Sequence, residues 1–176
     1  MNTIDRLDNA WVAVHTKTLY EKVAAEHLVT NGYECFLPLQ YRKMRKTAQD
    51  QKRKRQPVLI PLFPGYLFCR FKTHHNFLIK QATGVKKLIG YNGIPTPIPD
   101  CEIESLQKVV ISGLAVEPYE FLRTGQKVVI HSGPLSGLEG YLVQVLNKKL
   151  CKIAVGVSVI EKSGLVTVCI SDVSMK

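Results

Sequence analysis

The sequence predicts an α+β chain in which a mixed unit of strands and helices precedes a small all-β unit. Three observations carry that prediction. In residues 1–112, strand-length apolar runs alternate with stretches of helical periodicity. Residues 123–176 hold only short Val- and Ile-rich runs separated by glycine-rich turns. Between them, residues 113–122 contain Pro118 and show no periodicity, which makes them a linker.

Taken in order, Trp11-Val-Ala-Val-His-Thr16 is apolar and β-branched and reads as the first strand. Thr18 and Glu21 have the spacing of a capping box, which predicts a helix from that point. Val23, Ala24, Leu28 and Val29 supply its apolar stripe, and Asn31-Gly32 supplies its stop. Residues 33–41 read as a second strand with Pro38 at an edge or bulge. Its partner is residues 58–71, where Pro61 and Pro64-Gly65 precede a regular strand from Tyr66 to Phe71. A short helix over Phe77–Gln81, a strand over Val85–Gly90 and a turn at Tyr91–Gly93 follow. Asp100 is placed to cap a helix carrying Ile103, Leu106, Val109 and Val110. In the second unit, strand runs start at Gln126, Gly140, Cys151 and Leu165. Short strands at that spacing predict a small barrel that closes its own edges.

The chain has 176 residues, 45% hydrophobic and 22% charged, which is a globular composition rather than a disordered or collagen-like one. The longest uncharged stretch, Gln56–Cys69, is 14 residues and holds three prolines, so no transmembrane helix is predicted. The N-terminus carries acidic residues and no continuous apolar segment, which argues against a signal peptide and for a cytoplasmic location. Five widely separated cysteines without a C-x-x-C pair are expected to be buried or idle thiols. No metal site and no cofactor are predicted.

The formal net charge is +10, of which +8 falls in residues 1–115 and +2 in the rest. Arg42, Lys43, Arg45 and Lys46, followed by Lys52, Arg53, Lys54 and Arg55, put eight positive charges into fourteen residues. They lie between two predicted strands, so the expected structure is a hairpin with a basic tip. Such a tip can be a solvated face, but it can also neutralise several phosphates through counterion release without reading bases. Nucleic acid is the sharper expectation.

Two motifs go further. Gly125-Gln-Lys-Val-Val-Ile-His-Ser-Gly-Pro-Leu-Ser-Gly-Leu-Glu-Gly-Tyr-Leu-Val joins two strands through a turn carrying Gly133, Gly137 and Gly140. The stretch Gln126–Lys152 resembles a KOW motif. In the first unit, Pro61-Leu-Phe-Pro-Gly-Tyr-Leu-Phe68 after the basic segment, with Trp11 opening the first strand, resembles the NusG N-terminal domain. On both, the chain is identified as similar to NusG-family transcription elongation factors. The resemblance implies a ferredoxin-like N-terminal domain (1–112) that binds the clamp helices of the RNA polymerase β′ subunit, a linker (113–122) and a KOW β-barrel (123–176). Residues matching the polymerase-binding surface are Trp11, Phe63, Pro64, Tyr66 and Phe68. Alternation along the strand puts Tyr66 and Phe68 on one face and Leu67 on the other, toward the helices.

Residues 11–28 are also similar to the corresponding segment of the operon-specific RfaH type. Lys17 and His27 there match positions used near a non-template DNA hairpin, whereas Val23 stands where a basic residue is expected. Val157-Ser-Val-Ile-Glu-Lys-Ser-Gly164 replaces the Phe-Gly-Arg segment and Thr-Pro of general NusG barrels. This departure and the basic segment favour a specialised antitermination paralogue, of the RfaH or UpxY type, serving long operons such as those for polysaccharide synthesis. Implied partners are the β′ clamp helices, upstream or non-template DNA, and NusE or the ribosome through the KOW unit. A monomer with no membrane association is expected. The alternative is a ribosome-associated or RNA-binding KOW protein. An enzyme is not expected, because Glu21, Glu26, Asp50, Asp100, Glu102 and Glu104 form no convincing acid–base pair and no nucleophile motif is visible.

Overall fold

The computed structural model describes residues 7–41, 58–73, 76–119 and 125–176. The first part contains β1 (Trp11–Thr16), α1 (Glu21–Thr30), β2 (Cys35–Phe36), β3 (Leu39–Tyr41), β4 (Leu59–Pro61), β5 (Tyr66–Arg70), α2 (Asn76–Gln81), β6 (Val85–Leu88), β7 (Gly90–Tyr91), β8 (Ile94–Pro95), β9 (Pro97–Ile98) and α3 (Asp100–Ile111). The second contains β10 (Glu117–Tyr119), β11 (Gln126–Ile130), β12 (Glu139–Val145), β13 (Leu150–Val157), β14 (Lys162–Cys169) and β15 (Val173–Met175), with 3-10 turns at Ser158–Ile160 and Ile170–Asp172.

The apolar first strand becomes the centre of its sheet. β1 pairs antiparallel with β5 and β6, β9 also pairs with β1, and β2 extends the sheet beyond β5. Alternation along β1 separates two buried faces. Val12 and Val14 join Leu67 and Cys69 of β5 with Ala24 and Leu28 of α1 and Ile79 of α2. Trp11 and Ala13 face the other way, with Phe68 of β5 and Ile103, Leu106 and Val109 of α3. The expected division between Leu67 and Phe68 is therefore present.

Several local expectations are corrected. The capping box does not form: α1 starts at Glu21 after Tyr20, and no side chain caps it. The Glu21 carboxylate is turned instead toward Gly65, whose N–H it accepts at 2.7 Å. Val23 and Val29 are exposed, so the buried stripe of α1 is Glu21, Ala24 and Leu28. The second strand is split into β2 and β3 around Leu37-Pro38, because proline has no N–H for the ladder. Asp100 is the first helical residue of α3 rather than its cap, and its carboxylate receives Arg70 at 2.8 Å.

The second part is all β, as expected, but its pairing path is open. Six antiparallel strands run in the order β10-β14-β13-β12-β11-β15. The barrel prediction is corrected on a specific point: part of the predicted linker, β10, takes the edge of β14 in register Glu117↔Leu165 to Tyr119↔Ser163. That edge is thus satisfied by chain from the connecting segment, which a closed barrel would have paired within itself. Lys152 fixes β10 further by binding Glu117 at 2.6 Å.

Candidate partner-binding face

The loop between β4 and β5, Leu62 to Gly65, holds Phe63 and Pro64, and β5, which follows it, holds Tyr66 and Phe68, so that this stretch carries four of the five residues singled out for partner binding. Phe63 and Phe68 meet edge to face with ring centroids 6.4 Å apart, and Phe36 stacks on Phe68 at 6.2 Å. The indole of Trp11 is buried beneath the Arg70 guanidinium, 4.6 Å from its centroid. Arg70 in turn binds Asp100 and Glu34 at 2.8 and 3.6 Å. Tyr66 is half-buried, opposite His15 in the β1–β5 register and stacked on its imidazole at 5.2 Å. Burial, with Lys86 and Lys87 adding, pushes the His15 pKa below its ordinary value. Pro64 is exposed.

Phe63 and Phe68 are not an open concavity. They are 2% and 0% exposed, within one contiguous apolar cluster that also contains Val128, Ile130, Leu135, Ile153, Val155, Val157 and Val166 of the second sheet. Val159 and Ile160, in the 3-10 turn after β13, pack against the same cluster. Contacts from several elements join the two parts. α3 lies along β13. Glu102 of α3 accepts the Ser158 N–H at 2.9 Å. Leu62 and Val116 converge on Gly164, where a Cβ would lie 2.3 Å from Val116 Cγ1 and 3.6 Å from Leu62 Cδ1. Beside this apolar seam a cleft of about 290 Å³ opens between α3 and strands β12 and β13, with Glu102, Lys108, Lys127 and Glu139 on its walls.

The residues singled out for nucleic acid separate into two groups. Lys17 and His27 come together at the turn between α2 and β6. The Lys17 N–H donates to the Gly84 carbonyl at 2.7 Å, and His27 Nδ1 accepts the Thr83 N–H at 2.9 Å. Lys17 keeps an exposed side chain, whereas His27 is committed through Nδ1 to holding that turn. The stem of the predicted basic hairpin is present, since β3 and β4 pair from Leu39↔Pro61 to Tyr41↔Leu59. Its eight cations, Arg42, Lys43, Arg45, Lys46, Lys52, Arg53, Lys54 and Arg55, lie outside the described residues.

In the second sheet, Gly133 and Gly137 take positive φ in the turn between β11 and β12, as their motif requires. Gly140 serves close approach instead: a Cβ there would sit 2.4 Å from Ile153 Cγ2 and 2.7 Å from the Ala154 carbonyl. Burial pushes the Cys35 thiol up to about 12 and raises Cys69 and Cys151, while Cys101 and Cys169 are exposed; all five are free.

Sequence reasoning missed Glu21, Glu102 and His15. A signal for Glu21 existed. It stands three residues before Ala24 and seven before Leu28, so it shares their buried helix face, where an acid needs a specific donor.

The first sheet thus buries its second face under α3 and the second sheet, and comparison with known proteins places this two-part fold. The family model described as "Transcription termination factor nusG" matches residues 9–107. The chain belongs to the NusG family, whose members are transcription factors and not enzymes. Among solved structures, NusG of Thermotoga maritima, described for its domain interaction, is similar over 94% of this chain and 96% of its own, at 20% identity and TM-score 0.55. Two conformations of an MjSpt4:Spt5 complex also match, at 18% and 17% identity with TM-scores of 0.32 and 0.29. Each covers 94% of this chain, and 95% and 97% of the other. Among the described residues no helix is long and apolar enough to cross a membrane.

Proposed function

We propose that this protein is a transcription elongation and antitermination factor that binds the clamp helices of the RNA polymerase β′ subunit through the face bearing Trp11, Phe63, Pro64, Tyr66 and Phe68. The observation that carries the reading is the second apolar face of the β1–β5 sheet. It is covered by the α3 helix and the second sheet rather than by α1 and α2, so separating the two parts would uncover aromatic side chains suited to an interface. The factor makes and breaks no bond. It favours the elongating polymerase by binding that state better than the paused one.

Polymerase binding therefore competes with closure of the protein on itself. The segment 157–164, which departs from the general NusG pattern, is the segment docked on the first part through Ser158, Val159 and Ile160. This supports a specialised, operon-restricted paralogue of the RfaH or UpxY type over the housekeeping factor. Lys17, His27 and the basic hairpin add salt-dependent contacts to upstream or non-template DNA in the cytoplasm. NusE or the ribosome is the partner of the KOW sheet once it is released. A ribosome-associated or RNA-binding KOW protein is less well supported, because the family match spans the first part of the chain.

The test is capture of purified RNA polymerase by the wild type and by Tyr66→Ala, each checked for folding by circular dichroism. Capture by the wild type and its loss in the variant support the reading. Equal capture by both, or none by either, overturns it.

A further inference from the structure

We infer that Glu21 is the positioning residue of the loop Leu62–Tyr66: a buried carboxylate on α1 that fixes, through the Gly65 amide, the orientation of Phe63 and Tyr66. The inference rests on the reading that this loop meets the polymerase, and extends it to a residue that does not itself touch the partner.

Glu21 is 4% exposed at the first position of α1, and its Oε1 accepts the Gly65 N–H at 2.7 Å across 44 residues of sequence. A carboxylate buried to this degree is costly unless hydrogen-bonded, and a backbone N–H donating to a charged acceptor makes one of the stronger bonds available. Gly65 is held from its other side as well, because its carbonyl accepts the Thr16 N–H at 2.8 Å. The residue thus has both polar groups fixed, one by α1 and one by the end of β1, at a φ of +82° that side chains rarely adopt.

The neighbours of Gly65 explain what this fixation does. The Tyr66 N–H donates to the Phe63 carbonyl at 3.1 Å, closing the turn around Pro64-Gly65. His15 stacks on Tyr66 and lies 3.7 Å from where a Gly65 Cβ would stand. Rotation of the Gly65 peptide would therefore disturb the turn that joins Phe63 to Tyr66 and, with it, the His15 stack. Removing the acceptor also leaves a donor without its partner in a part-buried place, which favours such a rotation.

The test compares the full-length wild type with Glu21→Gln, which keeps an acceptor oxygen without the charge, and Glu21→Leu, which keeps the volume without the acceptor. The readouts are hydrogen exchange of the Gly65 amide by NMR and affinity for RNA polymerase. A protected Gly65 amide is expected in the wild type and in Glu21→Gln. In Glu21→Leu, exchange about tenfold faster and polymerase binding about tenfold weaker are expected, as for loss of one such bond. A Gly65 amide as slow in Glu21→Leu as in the wild type overturns the inference, as does unchanged affinity with fast exchange. Should Glu21→Leu fail to fold, the other two proteins decide: an unprotected Gly65 amide in the wild type, or a Glu21→Gln variant that loses protection, overturns it. Failure of the wild type to bind polymerase refutes the clamp reading alone, since Gly65 exchange still decides whether Glu21 holds the loop.

Discussion

Glu102 on α3 accepts the backbone N–H of Ser158 at 2.9 Å, and this bond ties the first part of the protein to the turn that follows β13. It lies at the margin of the apolar seam, where Val159 and Ile160 enter the shared cluster. Part-buried hydrogen bonds to a charged acceptor contribute about 1.5 to 3 kcal/mol at most, so the bond adds to closure without creating it.

Glu102→Ala is therefore expected to shift the protein toward the open form while leaving each half folded. Polymerase affinity should rise by about tenfold, and by about a hundredfold at most, which is the scale of one such bond. Titration of polymerase with both proteins checks this; a weaker Glu102→Ala complex would show that Glu102 acts in the complex and not in closure.

Gly164 leaves no room for a side chain at the seam, with Val116 Cγ1 only 2.3 Å from the position of a Cβ and Leu62 Cδ1 at 3.6 Å. Gly164→Ala should push β10 and the Leu62 loop away from β14 and destabilise the protein by roughly 1 to 3 kcal/mol, the usual cost of overpacking. Adding Val116→Ala should return part of that loss, because the two side chains would otherwise occupy the same space. Chemical denaturation of the two single variants and the double variant measures the coupling. Strict additivity would mean that Val116 is not the obstacle.

The opposite faces of β5 give neighbouring residues different fates. Leu67 is fully buried among Val12, Val14, Ala24, Leu28 and Ile79, so Leu67→Ala should cost about 2 to 5 kcal/mol of stability. Tyr66 is half-buried at the rim beside His15, so Tyr66→Ala should leave the melting transition largely in place and weaken polymerase binding by about 2 kcal/mol. Melting curves and binding titrations of the two variants separate these outcomes. A Tyr66→Ala variant without a cooperative transition would remove the distinction.

Much of this architecture was legible in the sequence, and the failures have physical causes. Alternation along Tyr66–Phe68 separated the two faces of β5, and the period of Ile103, Leu106 and Val109 marked the inner side of α3. Thr18-x-x-Glu21 misled because a local capping pattern competes with a longer-range donor, and the part-buried Gly65 amide won. The same limitation hid Glu102, whose partner lies 56 residues away. The burial of Phe63 and Phe68 under the second sheet was not legible, because no local signal reports which distant sheet will cover an apolar face. Predicted barrel closure failed at β10, since residues 117–119 have no alternation that would announce pairing with β14. Gly133 and Gly137 were legible because they answer a purely local need for positive φ.

Glu139 gives the second sheet a pH dependence with a definite sign. It sits on β12 and receives Lys127 Nζ at 2.8 Å and the Nζ of Lys176, and these two hydrogen bonds hold its carboxyl down at about 2, against an ordinary 4.5. The folded state therefore favours the ionised form. Its stabilising effect is complete above about pH 4.5 and is lost as the pH falls toward 2. The same bond raises Lys127, so that contribution is complete below the ordinary lysine value and is lost only on going more alkaline than 10.5. Glu139→Gln should thus melt slightly below the wild type at pH 7, with the two curves converging as the pH is lowered through 4 to 2. Because the trio is solvent-exposed, the gap at pH 7 should be a few degrees at most, roughly, and should shrink further at about 1 M salt, where screening reaches about 3 Å. Calorimetry of both proteins from pH 2 to 7 checks this. A gap that stayed constant across that range would show that Glu139 contributes through packing and not through its charge.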